Sequence, residues 1–307
     1  MTAIEYEGTD ITTLVTVSRC VYDAREEGRV PQLVIAFDDE RSLWDSWAPQ
    51  PGERISVKSE GASPTGTMYV KACTPVAGGY EIRADALPIS DAKALRTWRS
   101  TTLRVAIEQL AETLGLSVKF HGCDDMLFAY IRQDGEGALP VMARICALAG
   151  CTFDVYDGVA HVCGRDWVAS QESTALLEIT GASRFEYTRK GVLSACILNQ
   201  SAIAGVRPGL SATVGSGGRT MAVVLDERIG LPSSYELERA CAGVLACENA
   251  RRCGGSVKSD SLSPFSPGAV CAVTCSKAPS LSGKGIITRV RNDFGKSKSK
   301  TWWRQLA

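Results

Sequence analysis

The chain's only two histidines each stand two residues before a cysteine, as His121-Gly-Cys123 and His161-Val-Cys163. Imidazole nitrogen and thiolate sulfur are preferred zinc ligands, and a His₂Cys₂ set closes a tetrahedral site. On a strand, residues two apart point the same way, so each pair would face one side. If the two strands were neighbours, His121, Cys123, His161 and Cys163 would form a zinc-stabilised binding module. The alternative is that they are strand-end residues that ligate nothing. Asp124 and Asp125 are a second candidate, a carboxylate pair of the kind that serves general acid–base hydrolysis, for instance of a cell wall. Adjacent aspartates on a loop also commonly hydrogen-bond their own backbone. Neither pattern is enough to assign a catalytic, cofactor-binding or metal residue.

The twelve cysteines call for the same test. No C-x-x-C occurs, so zinc-ribbon and thioredoxin spacings are absent. Cys241, Cys247 and Cys253 fall on an expected helix, where steps of six residues aim them at three different faces. Cys271 and Cys275 share one face of an expected strand, with Cα atoms roughly 13 Å apart, too far for a disulfide. These cysteines read as small apolar residues of a reduced compartment.

Nucleophile-elbow, zincin, Walker and dinucleotide-binding motifs are all absent. Gly215–Gly218 and Ser282–Gly285 have glycine but lack the strand–turn–helix frame that cradles phosphate. The reading is therefore not an enzyme. Formal net charge is zero, which argues against general nucleic-acid or membrane attraction. The basic closing segment (Arg289, Arg291, Lys296, Lys298, Lys300, Arg304) reads as a solvated strand edge and turn. No apolar run reaches the length of a transmembrane helix. The N-terminus lacks the charged and apolar regions of a signal peptide, so synthesis in the cytoplasm is expected.

The elements that must position these residues come in blocks. Residues 1–90 read as short strands with regular turns, a small β-barrel domain. Residues 91–165 read as an α/β domain. A helix in TTLRVAIEQLAETLG stops at Gly115 and leads into the strand LSVKFHG; a second helix, ALPVMARICALAG, precedes a hairpin turning at Asp157-Gly158. Residues 166–232 and 264–307 return to strands as a second barrel domain, with GVRPGLSATVGSGG expected as a flexible loop. Residues 233–263 read as a helical insertion, capped by Ser233 and Glu236 and ended by Gly254-Gly255. The fold class is thus α+β: two small β-barrels, an inserted α/β domain and a helical insertion.

One sentence of sequence is written twice. Pro51-Gly52 and Pro267-Gly268 each open an alternating strand, followed by a Ser/Ala/Pro turn, a glycine (Gly66, Gly283) and an apolar run. This is either common hairpin grammar or two copies of one unit.

Three stretches, TTLRVAIEQLAETLGLSVKF, IRQDGEGALPVMARICALAGCTFDVYDGVAHV and the run from Glu236 to Leu306, carry a resemblance. They resemble the late control protein D family of phage tail and baseplate hub proteins, which share a fold with the hub half of type VI secretion spikes, with Gln133 and Glu136 at the family's positions. Gly137 and Ala138 depart from the family's usual polar pair. The resemblance implies two barrels per chain and a homotrimer whose six barrels join a sixfold tail tube to a threefold spike. Implied partners are further copies of itself, a tube or tube-initiator protein, the central spike, and a tape-measure or baseplate-wedge protein. The implied location is the tail tip of a virion, tailocin or other injection particle. Against the resemblance the chain reads as short for a hub, and no attached lysozyme or peptidase domain is expected. Edge-strand pairing would close the ring, and Val70 and Ile287 are expected on such edges, where added charge would block assembly.

Overall fold

The computed structural model describes residues 2–26, 28–40, 42–180 and 183–306. The N-terminal part forms β1 (Thr2–Tyr6), β2 (Thr9–Asp10), β3 (Thr16–Arg25), β4 (Gln32–Asp38), β5 (Arg54–Ser59), β6 (Met68–Val76) and β7 (Gly79–Asp85). Between β4 and β5 the Pro/Gly-rich break holds a short helix, α1 (Leu43–Trp47). Asp39 accepts hydrogen bonds from the Leu43 and Trp44 amides, satisfying donors that a helix start leaves open. The helix buries Trp44 against Phe37 and Tyr80, with ring centroids 4.4 and 5.8 Å away.

The middle of the chain forms β8 (Ala94–Thr102), α2 (Leu103–Thr113), β9 (Ser117–His121), β10 (Leu127–Glu136), α3 (Ala138–Leu148), β11 (Cys151–Tyr156), β12 (Val159–Gly164) and α4 (Arg165–Ser170). Both expected helices and the Asp157-Gly158 hairpin are present. Thr102 caps α2, and Asp91 accepts from the Ala138 and Leu139 amides to cap α3. β12 pairs in parallel with β9 and antiparallel with β11. The long β8–β10 pair is not anticipated by the sequence pattern.

The C-terminal part forms β13 (Ala175–Ile179), β14 (Arg184–Arg189), β15 (Ala195–Gln200), β16 (Leu210–Gly215), β17 (Thr220–Val224), β18 (Ile229–Gly230), α5 (Ser234–Ala250), β19 (Cys253–Ser259), β20 (Val270–Cys275), β21 (Gly283–Asp293) and β22 (Lys298–Gln305). The expected strand ALLEITGA is β13 as far as Ile179; Gly181 and Ala182 lie outside the described residues. The expected flexible loop is partly ordered structure: β16 pairs with β15, and buried Arg207 donates to the Ser201, Asp226 and Ile229 carbonyls. Ser233 caps α5 as expected, but Gly254-Gly255 do not end it. They lie in β19, where a Cβ would strike the Trp303 and Glu186 carbonyl oxygens at 2.4 Å. Cys253 therefore sits on a strand, off the helix of Cys241 and Cys247.

Thirteen strands form one mixed sheet, and its order shows an internal duplication. Apart from the two-residue β2, the first six strands lie β1-β5-β6-β7-β4-β3. Six later strands lie β13-β20-β21-β22-β19-β14. Numbered within each set, both read 1-4-5-6-3-2. The twin Pro-Gly stretches occupy the same place in each. Gly52 N–H donates to Val70 O at 2.8 Å and Val70 N–H to Glu53 O at 2.8 Å; Gly268 donates to Ile287 O at 2.8 Å and Ile287 to Ala269 O at 2.9 Å. A β-bulge follows Val70 in one set and Ile287 in the other. One difference is that β1 meets β5 antiparallel whereas β13 meets β20 in parallel. Strands β15, β16 and β17 form a separate sheet that carries α5, and β18 pairs with β10. No closed circuit of strands occurs among the described residues.

The histidine face and the open sheet edges

The α/β sheet brings the two histidines together but separates their cysteines. β9 and β12 are parallel neighbours, with Cys163 opposite His121, and His121 Nε2 lies 3.4 Å from His161 Nδ1. The Trp167 ring lies tilted against His121, with centroids 5.0 Å apart. Burial, then His121 and Lys119, hold His161 below its ordinary pKa, so the His161 ring favours its neutral form. Gly122 then turns the chain at φ +58, and a Cβ there would strike Trp167. Past that turn Cys123 is buried and donates to Val162 O at 3.2 Å. Beside it the Cys151 thiol is pushed far up by its hydrogen bond to Cys123 and by burial. Cys163 stays on the histidine face. The four candidates thus do not converge on one point, and no group of three or more His, Cys, Asp or Glu among the described residues is arranged for a metal. The turn at Gly122 breaks the two-residue alternation, so residue spacing alone does not place Cys123 beside His121.

Asp125 is committed to structure. Its Oδ1 accepts from the Arg104 amide at 3.0 Å in the first turn of α2, so the backbone it binds belongs to a helix and not to its own loop. Asp124 is exposed. The basic closing segment is mostly paired: Arg289 grips Asp23 with Nε–Oδ1 2.8 Å and Nη2–Oδ2 2.5 Å and lies over Trp302, Arg304 pairs with Glu26, and Lys298 with Asp260. It occupies β21, β22 and their turn, strands flanked on both sides within the sheet and not a sheet edge. Burial alone would raise Asp23, but hydrogen bonds from Arg289 and Arg25 outweigh it and hold the carboxyl below its usual range.

Val70 and Ile287 are not edge residues either. Both are 0% exposed at the matching bulges of the two sets. The open edges lie elsewhere. Among the described residues β14 pairs with β19 alone, and its residues are mostly exposed. β21 pairs with β22 along one side. Along the other, Gly283–Ile286 meet β20 and Arg289–Asp293 meet β3. The equivalent strand β6 pairs with β7 along one side and, through Met68 and Tyr69, with β5 on the other. Its residues 72–76 have no strand on that second side among the described residues.

No protein-family model and no curated protein matches the chain. Solved structures do. The tail protein from Neisseria meningitidis MC58 matches with a TM-score of 0.71 at 13% identity, over 99% of this chain and 96% of that one. The 43 kDa tail protein of prophage MuSo2 from Shewanella oneidensis matches with a TM-score of 0.69 at 12% identity, over 99% and 98%. E. coli c3393, described as a component of the type VI secretion system similar to T4 bacteriophage tail proteins gp27 and gp5, matches with a TM-score of 0.61 at 12% identity, over 99% and 77%. The chain has the fold of these phage tail proteins and of a type VI secretion component.

Proposed function

We propose that the chain is a structural, non-catalytic hub of a phage tail or tail-like injection particle. Three copies form a ring that presents six equivalent β units to a sixfold tube and a threefold face to a central spike. The two strand sets with one order, 1-4-5-6-3-2, carry this reading. A duplicated unit gives a threefold assembly sixfold character without six chains. Each set would serve as one barrel of the ring; the domain limits then follow the strand pairing, with β19 in the second unit and β15–β18 with α5 as its insertion. The tube or its initiator, the spike, and a tape-measure or wedge protein are the partners of this reading, and the tail tip is its location.

The seam inside one chain suggests the seam between chains. The second strand of the first set, β3, adds to the half of β21 that lies beyond the bulge. Its equivalent in the second set, β14, is open, and so is the matching half of β6. Head-to-tail pairing of β14 with residues 72–76 of the next copy repeats the internal joint and closes the ring, leaving no exposed edge there. Pro75 lacks an N–H and removes one rung, a feature found on strands that must resist indiscriminate pairing.

Lys190 N–H donates to Arg252 O on the β19 side, so by alternation the Tyr187 N–H faces the open edge. Tyr187→Pro is expected to leave the fold intact and to reduce the solution mass to one chain. Retention of the trimer mass would rule out β14 as the seam.

A further inference from the structure

A cavity of about 490 Å³ lies where the α/β sheet meets the second strand set. Asp154 enters it from β11, Thr152 from the same face of β11, and Glu172 from the segment leading to β13. Trp167, Val270 and Ile286 supply apolar wall. Three carboxylates line it (Glu26, Asp154, Glu172) but, among the described residues, no lysine, arginine or histidine. Glu26 is neutralised from behind by Arg304 at 2.7 Å. Among the described residues the Asp154 carboxylate has no such partner: burial pushes it up to about 6, and the opposing influence is its own backbone N–H. Thr152, 8% exposed, has a buried hydroxyl without a hydrogen-bond partner. A half-buried carboxylate without a counter-charge and a buried hydroxyl without a partner are each costly. Together they describe a site shaped for a cation that also donates hydrogen bonds.

We infer that this cavity receives a lysine- or arginine-type side chain presented by a partner protein, its charged head on Asp154 and Thr152 and its aliphatic stem against Trp167, Val270 and Ile286. The cavity is far larger than a bare ion, and the apolar wall suits a methylene stem. The aromatic ring of Trp167 adds attraction for a cation that passes over it. The ligand set favours an organic cation over a metal, since no three metal-type ligands converge. The inference is independent of the ring: it concerns what docks where the α/β sheet meets the second strand set, whatever the number of copies.

The test uses the full chain and two probes, n-butylammonium and n-butylguanidinium, titrated by calorimetry at constant ionic strength. Saturable binding is expected, weakened about tenfold or more in Asp154→Asn, as for loss of a charged hydrogen-bond partner, and less in Thr152→Val. The carbon resonance of the Asp154 carboxyl should move on saturation. Should Asp154→Asn not fold, Glu172→Gln, a change at an exposed side chain, is expected to weaken binding measurably. Absence of saturable binding, equal affinity for n-butanol, or affinity unchanged across these variants would overturn the proposal. Tighter binding of Ca²⁺ or Mg²⁺ at Asp154 would replace it with a metal site.

Discussion

The two strand sets share an order but not a surrounding. In the first, β3 and β4 are consecutive and joined by a short connection, and the far strand β3 is covered by β21. The core is aromatic, with Trp44 from α1 packed among Tyr6, Phe37 and Tyr80. In the second, three extra strands, β18 and α5 are inserted between β14 and β19, and β14 is open. Its core is built from Cys271, Val273, Cys275, Leu281 and Phe265. What both preserve is the Pro-Gly hairpin, its reciprocal backbone bonds and the bulge beyond it. The difference teaches that strand order and bulge are the constrained parts, whereas core chemistry and loop length vary freely.

The sharpest way to break this equivalence is to place a charge at the matched bulges. Val70→Lys and Ile287→Lys each bury an unpaired ammonium, and each is expected to cost about 4 kcal/mol or more. Loss of folded protein on expression, equal for the two, is the readout; a well-folded variant at one site alone would show the sites not to be equivalent. Next, Trp44→Ala removes the aromatic hub of the first set, at about 3–5 kcal/mol. Hydrogen exchange should report the loss in β4 and β7 and spare β20 and β22. A smaller effect is expected at the internal seam. Asp23→Asn weakens the Arg289 clasp between β3 and β21 and should cost about 2 kcal/mol near neutrality, measured by denaturant titration. Because the folded Asp23 carboxyl lies below its ordinary value, its contribution is present above that value and fades as pH falls through the folded one. The variant should lose that part of the acid dependence.

The smallest change concerns the histidine face. His161 is held below its ordinary pKa, so unfolding takes up a proton as the pH drops through the imidazole range. Its stabilising effect is full above about 6.5 and declines below. His161→Gln should flatten the stability curve between about pH 6.5 and 5 and leave it unchanged at pH 8, by thermal melts across pH.

Much of this molecule is legible in its residues, where the signal is local. Gly115, Ser233 and Asp157-Gly158 announce a helix stop, a cap and a hairpin by conformational needs that only neighbours along the chain decide. The duplicated Pro-Gly stretch was visible for the same reason. Strand order was not, because nothing local says that β5 lies between β1 and β6. β8 is silent in the sequence because ALRTWRST is mostly exposed, burying Trp98 and Thr101, and carries no apolar alternation. β19 was hidden because Gly254-Gly255 resemble a helix stop, when their small size serves close strand approach. The supposed His₂Cys₂ set failed at one residue, Gly122, whose left-handed turn sends Cys123 into the core. Val70 and Ile287 look like edge positions in the sequence because a strand's neighbours cannot be counted from its own residues. The Asp154 cavity joins segments more than a hundred residues apart, and no spacing rule reaches that far.

The central claim is that three chains supply six equivalent β units. Light scattering in reducing buffer over a concentration series tests it most directly. The account predicts a species of three times the 32.8 kDa chain mass, growing with concentration at the expense of single chains. A mass of one chain, or of two, across the whole series would contradict it.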